Sequence, residues 1–223
     1  MNSKKIKKDL VKIPRLILGF LLISFGIYLI KKINMGMNAW GTFQLGITNI
    51  TSLAYGTINI LVGLVIIIIS TFFKFYPGIG TILNMILVGS FINLFDKFIV
   101  FSNPDSYFLK IFILLIGLII YSYGVFMYLS CNMGAGPRDG LMVTLVKLTN
   151  KSVFKIRTGI EITVFAFGFI LGAKIGLGTV IVTLCGGWIL NQIFEFHNYD
   201  TEKSRHSYLG DYLNKKASAN NEV

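Results

Sequence analysis

Four ionisable residues stand where an apolar chain has least use for them. Arg138 and Asp139 follow Pro137 in the run N-M-G-A-G-P-R-D-G from Asn132 to Gly140, and Arg157 and Glu161 lie four residues apart in a stretch, Val153 to Gly172, that is otherwise apolar except for Lys155. Guanidinium groups hold carboxylates and phosphates through paired N–H donors, and only four arginines occur beside 17 lysines, so two of the four in this region point to anion geometry. A carboxylate at membrane depth can take up and release a proton, which makes Glu161 or Asp139 the candidate for coupling solute movement to a proton or cation. A second reading is structural. Arg157 and Glu161 share one helix face and can satisfy each other, with Arg138 and Asp139 capping the helix that starts at Pro137. Gly134 and Gly136 permit a tight entry into that helix, and Asn38, Trp40 and Asn132 complete the candidate lining of a polar cavity. Trp40 serves equally well as an interfacial anchor.

The elements that must position these groups belong to a membrane protein. Of the 223 residues 54% are hydrophobic and only 14% charged, whereas a soluble domain carries about a quarter charged residues. Spans of about 20 apolar residues are expected near 14–31, 55–73, 79–98, 109–130, 153–172 and 177–196. The first is too long and lacks a small-residue cleavage site, so it reads as an uncleaved anchor. Glu161 lies about 9 Å along its helix from Lys155, inside a hydrocarbon core about 30 Å thick.

The net charge of +11 is a topology signal rather than a nucleic-acid footprint. With the N-terminus inside, 16 of the 21 Lys and Arg fall in cytoplasmic segments, among them Lys4, Lys5, Lys7, Lys8 and Lys74. Both termini are therefore expected in the cytoplasm. His197 and His206, the only histidines, lie in the tail, and Cys131 and Cys185 are two thiols in apolar segments. No histidine-based metal site, disulfide framework or nucleophile motif can be assembled from them, so neither a cofactor nor an enzymatic activity is expected.

A shift of 98 residues lays 15–98 over 113–196 without a gap and gives 15 identities in 84 positions, mostly Gly, Asn, Ser and Thr. Each copy holds three spans, and an odd number turns the second copy upside down relative to the first. The expected fold is all-α: six transmembrane helices as two inverted three-helix repeats, each with a short dipping helix, at 34–51 and 132–149. The chain divides into a basic N-terminus (1–13), the first repeat (14–98), an external linker (99–108), the second repeat (109–196) and a cytoplasmic tail (197–223). The copies differ most in charge: Trp40, Gly41, Asn59 and Gly63 stand where Arg138, Asp139, Arg157 and Glu161 stand in the second.

The stretch N-M-G-A-G-P-R-D-G-L-M (132–142), Arg157 to Glu161, and G-L-G-T (176–179) resemble the YczE/YyaS/YitT family of bacterial multi-pass membrane proteins, over roughly residues 15–196. The resemblance implies a plasma-membrane protein of five or six spans, sometimes presumed to transport. The 27 residues after Phe196 are too few for the soluble C-terminal domain of the YitT branch, which places the chain nearer the YczE type. Three function classes follow: a secondary transporter or facilitator of a small anionic or zwitterionic solute, a substrate-capture subunit of a larger transporter, and a non-transporting accessory or scaffold. The expected partners are the lipid bilayer, an unidentified small solute and either a second copy or another membrane protein, with no nucleic acid.

Overall fold

The computed structural model describes residues 9–73 and 76–199, so the first eight residues, Lys74 and nearly all of the C-terminal tail lie outside the described residues. Within them the chain is all-helical. Eight helices follow one another: α1 (Ile13–Ile33), α2 (Ala39–Thr51), α3 (Tyr55–Phe72), α4 (Ile79–Phe98), α5 (Tyr107–Leu129), α6 (Pro137–Thr149), α7 (Val153–Ile170) and α8 (Leu177–Phe196). The bounds of α6, α7 and α8 lie 98 residues beyond those of α2, α3 and α4. Five helices, α1, α3, α4, α5 and α8, are long and apolar enough to cross a membrane. The sixth expected span, α7, is 18 residues long and carries Lys155, Arg157 and Glu161. At 13 residues each, α2 and α6 reach about 20 Å, short of a hydrocarbon core about 30 Å thick.

The core forms where α1 and α5 cross, around Leu16, Phe20, Ile23, Leu114, Leu118 and Tyr128. Glycines set the distance. A Cβ on Gly19 would lie 3.0 Å from the Gly124 carbonyl oxygen, and one on Gly26 would lie 2.6 Å from that of Gly117. Gly19 therefore meets Gly124 and Gly26 meets Gly117, so the two helices run antiparallel and touch through backbone, as small residues allow in lipid. α4 packs on α1 and α8 on α5, while α2 packs on α7 and α3 on α6.

The two non-helical loops before α2 and α6 have the same backbone. Asn34 and Asn132 take positive φ of 55° and 56°, and Gly36 and Gly134 take 106° and 120°. Each loop is held by the other half of the chain. The Gly178 amide at the start of α8 donates to the Met35 carbonyl at 2.9 Å, and the Gly80 amide at the start of α4 donates to the Met133 carbonyl at 2.7 Å. Around the second loop, the Tyr128 hydroxyl donates to the Gly134 carbonyl, the Thr81 hydroxyl to that of Ala135 and, just before the loop, the Lys12 ammonium to that of Cys131. Irregular backbone needs such partners, because its buried carbonyls have none within a helix. Thr81 and Thr179 also accept from the amides of Gly78 and Gly176, which caps the first turns of α4 and α8.

The halves differ in how their last two helices meet. α3 and α4 pack closely: a Cβ on Gly56 would fall 2.0 Å from the Gly89 carbonyl oxygen, and Asn93 bonds both the Gly56 amide and Thr57. In the second half Phe154, Lys155 and Glu161 replace Gly56, Thr57 and Gly63, and α7 and α8 do not pack on each other in this way.

Candidate functional site

A cavity of about 240 Å³ opens at the N-terminal ends of α2 and α6 and is lined by every helix except α8. Its walls are built from corresponding positions of the two copies. Trp40 and Arg138, Asn59 and Arg157, and Gly63 and Glu161 all line it, each pair 98 residues apart. The first copy thus supplies neutral groups and the second supplies charge.

Local sequence explains how the groups are aimed. Asn38 caps α2, its side-chain oxygen accepting from the Gly41 amide at 2.8 Å, so the positive end of α2 is already answered. α6 opens instead with Gly136 at the cap and Pro137 in its first turn, and Gly136 has no side chain to offer. Asp139 stands in the first turn of α6, where a carboxylate is favourable against the helix dipole. The Arg138 guanidinium lies over the Trp40 ring, 5.0 Å from its centroid, in a cation–π contact worth about 0.5–2 kcal/mol. One turn along α7, Arg157 Nε donates to Glu161 Oε1 at 3.2 Å, with the side chains 70% and 43% exposed. The expected i, i+4 pair therefore forms, and it does so at the cavity rather than in a sealed core.

Of the nine residues singled out from sequence, Asn38, Trp40, Gly136, Arg138, Asp139, Arg157 and Glu161 line the cavity. Asn132 and Gly134 are not among its lining residues. They shape the loop before α6, where a Cβ on Gly134 would meet the Thr81 hydroxyl oxygen at 2.7 Å. Five polar wall residues lie outside those nine: Gln44, Asn59, Asn84, Tyr121 and Tyr128. Gln44 is buried and its amide oxygen accepts from Asn59 Nδ2 at 3.2 Å, so Asn59, which stands where Arg157 stands in the second half, is also held by a side-chain hydrogen bond. The signal for Gln44 was an amide inside the charge-free stretch from Ile33 to Phe73.

A family of unknown function, DUF6198, matches residues 10–195. The chain is 32% identical to the "Uncharacterized membrane protein YczE" of Bacillus subtilis over 174 residues, 77% of this chain and 80% of the relative. It is 32% identical to an "Uncharacterized protein" of Haemophilus influenzae over 166 residues, 74% of this chain and 75% of that one. Identity to the "Uncharacterized protein YyaS" of Bacillus subtilis is 23% over 189 residues, 78% of this chain and 88% of YyaS. No solved structure matches.

Proposed function

The chain belongs to the DUF6198 family, and we propose that it is a secondary transporter or facilitator of a small anionic or zwitterionic solute, working in the plasma membrane without catalytic turnover. The observation that carries this reading is the cavity between corresponding residues of the two copies, which Arg138, Asp139, Arg157 and Glu161 all line and where Arg157 and Glu161 pair. In this reading α7 is the sixth span, α2 and α6 dip into the membrane without crossing it, and the copies sit inverted. The antiparallel α1–α5 crossing and the exchanged loop contacts support that arrangement, because each contact recurs with the roles of the two halves reversed.

The chemistry is a competition for Arg157. With Glu161 ionised, its carboxylate occupies the guanidinium; with Glu161 protonated, the attraction is lost and the carboxylate or phosphate of a solute can take its place. Arg138, held on Trp40 at the open end of α6, supplies the second cation. One proton and one anionic charge then enter together.

Two experiments test this. Purified protein in proteoliposomes with an imposed pH gradient should accumulate at least one member of a panel of labelled carboxylates, phosphates and amino acids. Glu161→Gln should abolish gradient-driven uptake while membrane abundance holds. Loss of inserted Glu161→Gln protein, restored by also neutralising Arg157, would assign the pair to the scaffold instead. Single cysteines in the inverted arrangement should label from the outside at Asn103 and Lys174, and from the cytoplasm near the N-terminus. Labelling of Asn103 from the cytoplasm alone would remove the inversion.

A further inference from the structure

A second cavity, of about 670 Å³, runs along the groove between α6 and α7. Its volume lies in the range of sites that hold small molecules, about 300–1,000 Å³. Leu141 and Leu145 line it from α6 and Ile156 and Ile160 from α7, Trp40 also contributes to its wall, and Lys151 and Lys155 bring positive charge where the two helices join. The groove is therefore apolar along its helical walls and cationic at the α6–α7 connection. A glycine leaves part of it open. Gly159 forms part of the wall and a Cβ there would meet nothing within 4 Å, whereas the residue 98 positions earlier is Leu61. Among the described residues neither lysine has an acidic partner within salt-bridge distance, and the first turn of α7 contains no acid.

We propose that this groove binds an anionic phospholipid, with one acyl chain along Leu141, Leu145 and Ile160 and the phosphate between Lys151 and Lys155. Charge and shape together select this occupant. A free phosphate would answer the ammonium groups and leave the apolar walls open. An apolar helix of a partner or of a second copy would cover the walls and leave two ammonium groups unanswered near the membrane surface. Anionic lipid answers both, as basic pockets between membrane helices do elsewhere. The lysine stems can lie along the apolar wall with their heads at the headgroup level. This inference stands on the groove alone and does not need the central cavity to transport anything.

The test uses the full chain purified in a neutral detergent and follows thermal unfolding by tryptophan fluorescence. Phosphatidylglycerol should raise the unfolding temperature by several degrees, and phosphatidylcholine with the same acyl chains should raise it by less than half as much. Gly159→Leu should keep the lipid-free unfolding temperature, since the space it fills is empty, and should lose most of the phosphatidylglycerol shift. The double variant Lys151→Gln/Lys155→Gln should lose it as well, which keeps the test decisive if Gly159→Leu folds poorly. The proposal fails if both lipids stabilise equally, if both variants keep the full shift, or if inorganic phosphate alone reproduces it. It fails too if the native mass is a dimer that Gly159→Leu converts to monomer, because the groove would then belong to a second copy.

Discussion

Replacing Gly26 by alanine should remove most of the folded protein from the membrane. The added methyl would sit 2.6 Å from the Gly117 carbonyl oxygen and 2.7 and 2.8 Å from Cβ and the amide nitrogen of Tyr121. Two of these three atoms are backbone, so no flexible side chain can swing aside, and α1 and α5 must part along the seam that forms the core. Overpacking costs about 1–3 kcal/mol where side chains can adjust, so a rigid contact belongs at the upper end, about 3 kcal/mol. The measurement is the unfolding temperature in detergent and the abundance of membrane-inserted protein. Gly187→Ala, where nothing lies within 4 Å of the new methyl, is the matched control and should be neutral. Equal stability of Gly26→Ala and wild type would mean that α1 and α5 are not in backbone contact.

The second large effect belongs to Arg138. Arg138→Gln should weaken apparent solute affinity roughly 10- to 100-fold, the loss expected when a charged hydrogen-bond donor to an anion is removed. Arg138→Lys keeps the charge but not the planar fork, and should fall between Gln and wild type. Trp40→Phe retains a ring under the guanidinium with a weaker quadrupole and should cost only about 2–5-fold. Uptake in proteoliposomes, compared at equal membrane abundance, gives the order. Equal uptake by Arg138→Gln and wild type would take the anion-holding role away from this residue.

The readable part of this protein was whatever lies within one element or follows from its length. Apolar runs placed α1, α3, α4, α5 and α8, and Pro137 after two glycines placed the start of α6. The four-residue spacing of Arg157 and Glu161 was enough to pair them, because helix geometry alone brings i and i+4 together. Contacts between distant elements were not readable in this way. Nothing in the neighbourhood of Trp40 or Arg138 says that the two rest on each other across 98 residues of chain. Asn84 and Tyr121 sit among apolar neighbours in long, largely apolar helices, so no polar stripe marks the face they present. The α6–α7 groove depends on the space beside Gly159, which only the packed structure shows.

The exchanged loop contacts also bear on how the chain is made. Gly178, which holds the Met35 carbonyl, follows it by 143 residues. At synthesis rates of about 5–20 residues per second it emerges on the order of ten seconds later. Until then the Met35 carbonyl lacks its partner, while Gly80 waits for Met133. The N-terminal half thus enters the bilayer as an unfinished body and is completed only when α8, the last of the described helices, has left the ribosome. A chain that ended before α8 would leave the first loop without the bond that Gly178 gives it.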